Sequence, residues 1–193
     1  MNLDENINYI VSGLERSGTS MLMQILHAGG AEISFDNSRP PDESNPKGYY
    51  ELAGGKIINK LMDGTFPLGE YKGRFIKITA YGLKYLPPGD YKIIYSERKI
   101  EEILDSMEKM ANITDTNREV TRETFLKLNN VIKSIVIDRG DIDILLVNYN
   151  DILSNPETNI KKIYDFLALP NLDLEKMIGA IDKRLYRRRR TKL

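Results

Sequence analysis

Short continuous apolar runs alternate along the chain with stretches of helical spacing. Residues 7–12 form one such run around Tyr9, Ile10 and Val11, the pattern of a strand buried on both faces. Residues 19–28 carry Met21, Leu22, Ile25 and Leu26 on one stripe, which predicts a helix that Gly29-Gly30 ends. His27 lies roughly opposite that stripe, so a surface position is expected for it. A short strand is expected at 31–35, then a long polar loop with Pro40, Pro41 and Pro46, then a weakly patterned helix at 51–63. Further strands are expected at 74–79, 91–96 and 143–149, the last being the most continuous apolar run. Ile100, Ile103, Leu104 and Met107 predict a helix over 99–111, with Ser106 off its apolar stripe. Phe125, Leu128, Ile132, Ile135 and Val136 are expected to face inward from a helix over 118–139. Pro156, capped by Asn155, opens a helix buried through Ile160, Ile163, Tyr164 and Leu167; Leu174, Met177, Ile178 and Ile181 mark the last one. Alternating strands and helices predict an α/β fold with a mainly parallel sheet covered on both faces.

The first strand runs into Gly13-Leu14-Glu15-Arg16-Ser17-Gly18-Thr19-Ser20. A strand, a glycine-bounded turn and a helix N-terminus make an anion site, because the first helical N–H groups have no internal partner and the helix dipole is positive there. Gly13 and Gly18 keep the glycine spacing of the phosphate-binding G-x-x-x-x-G-K-[ST] loop, but Thr19 stands at the lysine position and Ser20 at the next. The cation is inside the loop instead, at Arg16. The expected architecture is therefore a three-layer, P-loop NTPase-like domain, spanning 1–193 as one unit. The plainer alternative for this stretch is a tight strand–helix turn with a surface arginine. Arg98 follows a second buried run, and Ser106 stands eight residues later, a spacing that is common and by itself assigns no role.

Composition narrows the chemistry. The chain has no cysteine and one histidine, which excludes disulfides and thiolate metal sites and makes a zinc site improbable. No apolar run reaches membrane-spanning length, and residues 1–8 are polar and acidic, unlike a signal peptide, so a cytoplasmic protein is expected. Net charge is zero, but seven cations and no acid fall in the last eleven residues, 183–193. The preceding 182 residues hold 21 Lys and Arg against 28 Asp and Glu. This basic tail has no aromatic platform or base-reading motif beside it, so nucleic-acid binding is not expected.

Arg16-Ser17-Gly18-Thr19-Ser20 after a strand resembles the 5′-phosphosulfate loop of sulfotransferases, which use 3′-phosphoadenosine 5′-phosphosulfate (PAPS). Glu15 departs from the proline common there. Asn45-Pro46-Lys47-Gly48-Tyr49-Tyr50-Glu51 resembles a segment of a bacterial branch of sulfotransferase-like proteins. The Arg98/Ser106 spacing is similar to the family's 3′-phosphate pair. Tyr149-Asn150-Asp151-Ile152-Leu153 resembles its Tyr-Glu-Asp-Leu segment, with Asn150 in place of the usual acid. Lys77, near the end of a strand, resembles the lysine that several branches place near the transferred group.

The resemblance implies transfer of a sulfuryl group from PAPS to a hydroxyl or amine of a small-molecule or glycan acceptor, leaving PAP. It places Arg16 at the bridging oxygen and Lys77 at the departing side. Ser17, Gly18, Thr19 and Ser20 fall on the 5′-phosphate, Arg98 and Ser106 on the 3′-phosphate, and Tyr149 toward the adenine. The transferred group is singly charged, so no metal is required. No residue matches the family's histidine base; Glu51 is the first candidate, with Asp42 and Glu43 behind it. For Glu51, Lys77 and Tyr149 the plain alternatives are an exposed acid opening a helix, a strand-edge lysine in water and a packing tyrosine. Tyr186 and Arg187 are candidates to fold back on the cofactor. Two other functions stay open: a P-loop kinase or NTPase, against which the missing lysine stands, and a non-catalytic nucleotide- or anion-binding protein. No pattern in the chain sets an oligomeric state.

Overall fold

The computed structural model describes residues 3–182 and residue 184. The basic tail, with Tyr186 and Arg187, lies outside the described residues apart from Arg184. Four strands form one parallel sheet in the order β2-β1-β3-β4: β1 Asn8–Gly13, β2 Phe75–Lys77, β3 Tyr91–Glu97 and β4 Ile142–Asn148. The chain leaves β1 for β2 on one side and returns to β3 on the other, so the carboxyl ends of β1 and β3 flank a switch point. Loops diverge at such a point and leave a crevice.

Pleating sends neighbouring residues of each strand to opposite faces. Ile10, Ile76, Ile93 and Tyr95 join one core, roofed by α2 (Ile57–Met62), α3 (Ile100–Ala111) and α4 (Arg118–Ile137). Tyr9, Val11, Phe75, Ile94 and Val147 join the other, roofed by α1 (Thr19–Ala28), α5 (Tyr149–Ser154), α6 (Pro156–Leu167) and α7 (Leu174–Gly179). This is the three-layer α/β arrangement expected. Leu22, Met23, Ile25 and Leu26 of α1 are fully buried; at about 1.5–3 kcal/mol per such side chain, they anchor the helix that carries the glycine loop. No helix among the described residues is long and apolar enough to cross a membrane.

Several local expectations are corrected. Residues 31–35 form no strand, only a single parallel bridge from Ile33 to Phe75. The helix expected over 51–63 is broken, because Ala53, Gly54 and Gly55 all have positive φ; a 3₁₀ turn over Ala53–Gly55 precedes α2. The most apolar strand, β4, is an edge strand with Leu146 40% exposed, and Ile135 of α4 is 38% exposed rather than inward. His27 is exposed, as expected.

Candidate active site

The glycine loop is shaped by backbone that only particular residues tolerate. A Cβ on Gly13 would come within 2.5 Å of the Ser96 carbonyl oxygen, and one on Gly18 within 2.3 Å of the Tyr149 ring. Arg16 adopts φ 65° between them. Ser17 is fully buried; its N–H donates to the Leu14 carbonyl (3.1 Å) and its carbonyl accepts from Ser96 Oγ (2.8 Å). It pins the loop to β3 and is not among the residues that line the cavity. Gly18 is the N-cap of α1, where no side chain makes a capping hydrogen bond, and the first turn carries no acid. The helix therefore offers its N–H groups and positive end outward.

Arg16 and Arg98 meet across this loop. Arg98, just past β3, donates from Nη1 to the Arg16 carbonyl (3.0 Å) and from Nε to Glu102 Oε2 (3.0 Å). Its guanidinium carbon lies 4.4 Å from the centre of the Tyr149 ring, within cation–π range. Tyr149 thus packs beneath both Gly18 and Arg98. Ser106 is reached by Arg16 rather than by Arg98: Arg16 Nε donates to Ser106 Oγ (2.9 Å). Glu102 is fully buried, and Asn150 Nδ2 donates to both of its oxygens at 3.1 Å.

Lys77 closes the other side. It ends β2 in register with Val11, yet it is buried rather than facing water. Its ammonium donates to the Tyr49 carbonyl (2.5 Å) and to Ser20 Oγ (3.3 Å), and pairs with Glu51 Oε1 (2.8 Å). Burial pulls its pKa below the usual lysine value, against the opposing pull of Glu51. Glu51 is not an exposed acid at a helix start; it is buried, and Arg39 holds its second oxygen at 3.0 Å. The Arg39 guanidinium stacks 3.6 Å over the Tyr49 ring, whose hydroxyl donates to Asp42. Desolvation works to raise the Asp42 carboxyl, but hydrogen bonds from Tyr49 and the Asn45 and Ser44 amides hold it below the ordinary value.

These groups converge on one cavity of about 240 Å³. Arg16, Gly18, Thr19, Ser20, Glu51, Lys77, Arg98, Ser106 and Tyr149 line it, whereas Asp42 and Glu43 do not. Arg39 also lines it and was missed in the sequence, where its loop shows only prolines and polar residues. Glu102 was missed too, since a glutamate in a charged helix reads as solvated. Among the described residues no group of His, Asp and Glu could hold a metal ion.

The sulfotransferase domain model matches residues 6–187 of the chain. The sulfotransferase domain of the Synechococcus PCC 7002 olefin synthase superposes with a TM-score of 0.59 at 18% identity, over 93% of this chain and 79% of that one. Mouse sulfotransferase SULT7A1, complexed with PAP, gives 0.59 at 18% identity, over all of this chain and 70% of that one. At such identity these likenesses speak for the fold. No curated protein matches in sequence.

Proposed function

The chain belongs to the sulfotransferase domain family, and from that premise we propose that it transfers a sulfuryl group from PAPS to a hydroxyl or amine of a small-molecule or glycan acceptor, as a single domain. Arg98 carries most of the case. It bonds to the Arg16 carbonyl, so the strand-end cation and the glycine loop, 82 residues apart in sequence, border one cavity. The donor set fits a nucleoside bearing anions at both ends: an uncapped helix N-terminus on one side, the Arg98 guanidinium and the Ser106 hydroxyl on the other.

When bound, PAPS supplies the activated sulfuryl group. Gly18, Thr19 and Ser20 hold its 5′-phosphate through the N–H groups and hydroxyls at the start of α1. Arg98 and Ser106 take the 3′-phosphate. Tyr149, wedged under Gly18 and Arg98, sets the spacing between these two subsites. Arg16 and Lys77 supply positive charge where negative charge builds up, and preorganised charge of this kind is the larger part of most rate enhancements. Lys77 also bonds to Ser20 Oγ, which links its charge to the phosphate loop. Glu51 takes the acceptor's proton. The acceptor reaches it from the Arg39 side, which is 35% exposed, because the Lys77 side is 5% exposed.

Thermal unfolding of the full chain with adenosine 3′,5′-bisphosphate, and separately with ATP and magnesium, tests this. A ligand that binds only the folded chain raises its melting temperature by mass action. The bisphosphate is expected to do so. A response to ATP–magnesium alone would favour a nucleoside triphosphate enzyme instead. Arg16→Ala separates an enzyme from a mere binder: PAP release from PAPS with phenol, sugar or amine acceptors should fall about 10²–10³-fold, well beyond any loss of bisphosphate affinity.

A further inference from the structure

Glu102 has no part in the chemistry above, yet it is fully buried on α3 beside the nucleotide cavity. A carboxylate held out of water persists only when paired and hydrogen-bonded. Its partners are Arg98 Nε at 3.0 Å and Asn150 Nδ2 at 3.1 Å to each oxygen. Asn150 is itself anchored, since its Oδ1 accepts from the Lys99 N–H at 3.4 Å and its own N–H donates to Asn148 Oδ1 at 2.8 Å. Arg98 is thereby fixed on three sides: Glu102 at Nε, the Arg16 carbonyl at Nη1, and the Tyr149 ring against its face. An arginine side chain left to itself samples many rotamers, and fixing it removes an entropic cost from every ligand it later binds.

We propose that Glu102, braced by Asn150, is the positioning residue that holds Arg98 at the cavity rim and so sets the preference for a nucleotide with a 3′-phosphate over one without. This rests on the PAPS reading above. The residues come from two elements that meet only in the fold: α3 supplies the carboxylate, and α5, beyond β4, supplies the amide. Glu102 reaches the site through Arg98 Nε, while the Arg98 bond to the Arg16 carbonyl comes from Nη1, so removing the carboxylate bears first on the 3′-phosphate end of the ligand.

The probes are adenosine 3′,5′-bisphosphate and 5′-AMP, titrated calorimetrically into the full chain and into Glu102→Gln. The wild-type chain should bind the bisphosphate more tightly. Glu102→Gln should shrink that preference about tenfold, the scale of one charge-assisted contact, while 5′-AMP affinity stays within about twofold. A general loosening would weaken both ligands alike, and that result, or an unchanged ratio, overturns the proposal. Asn150→Ala, at a half-buried position, is the second variant should Glu102→Gln fail to fold; it should reduce the ratio in the same direction and by less. An unchanged ratio in that variant counts equally against the proposal. Failure of the wild-type chain to prefer the bisphosphate would sink the PAPS reading itself, an outcome distinct from a wild-type preference that the variants retain.

Discussion

Lys77 Nζ lies 2.8 Å from Glu51 Oε1, with the two side chains 5% and 10% exposed. The pair joins the edge strand β2 to the segment that closes the cavity. Stripping one partner from a buried pair leaves an uncompensated charge, at about 3–5 kcal/mol. Glu51→Leu strands Lys77 in this way and should cost that much. Lys77→Met should cost about 2 kcal/mol, less than that range, because Arg39 remains 3.0 Å from the other Glu51 oxygen. The double variant should cost less than the sum, with a coupling of about 1–3 kcal/mol in urea unfolding. Additive costs would show that the two charges do not depend on each other.

Gly18 has φ 110°, and a Cβ there would press into Tyr149 at 2.3 Å. Strain in that backbone region and overpacking each cost about 1–3 kcal/mol, so Gly18→Ala should lose about 3 kcal/mol. It should also lose the rise in melting temperature with adenosine 3′,5′-bisphosphate, since the ring or the loop must move. A variant that melts lower but keeps the full ligand response would mean that the helix start is not where the phosphate binds.

The β1–loop–α1 unit was legible because its information is contiguous: an apolar run, two glycines at loop spacing, and a helical stripe. The Arg98/Ser106 pair was legible only so far as both residues line one cavity, not in its wiring. Spacing along a chain does not reveal that Arg16 would take Ser106 and that Arg98 would turn to Glu102. Glu51 was picked out, but its burial between Lys77 and Arg39 depends on residues 26 and 12 positions away. The helix expected through 51–63 failed on backbone conformation: nothing in the apolar pattern marks Ala53 as left-handed. The apolar run of β4 marked a strand but carried no information on strand order, which the crossovers set; β4 falls at the edge.

Ala53 offers a small stabilisation. Its φ of 48° puts a β-carbon residue in the left-handed region, at about 1–2 kcal/mol, while its side chain is exposed. Glycine at that position relieves the strain but adds entropy to the unfolded chain, at about 0.4–1 kcal/mol. Ala53→Gly is therefore expected to raise stability by up to about 1 kcal/mol in urea unfolding. Gly55→Ala should do the opposite, because its Cβ would sit 2.9 Å from a Glu51 carboxylate oxygen. A destabilised Ala53→Gly would show that the turn is not strained there.

Tyr91 gives the fold an alkaline limit. Burial lifts its hydroxyl from 10.0 to about 12, with Arg139 nearby working the other way. The folded chain thus holds this proton more tightly than the unfolded chain does. Below pH 10.0 both states are protonated and the stabilisation is fully present. Between pH 10.0 and about 12 the unfolded state has lost the proton and the folded state has not, so stability falls as pH rises through that window. Tyr91→Phe keeps the ring but removes the 2.8 Å hydrogen bond to the Pro87 carbonyl, at about 1 kcal/mol near neutrality. The same change removes this residue's share of the alkaline slope. Urea midpoints measured below and inside the window should therefore draw together for the two proteins as pH rises, and cross once the fall exceeds what the hydrogen bond contributes. Tyr95 is also pushed up by burial and sustains the fall in both. Midpoints that stay a fixed distance apart across the window would show that Tyr91 ionises no later in the folded chain than in the unfolded one.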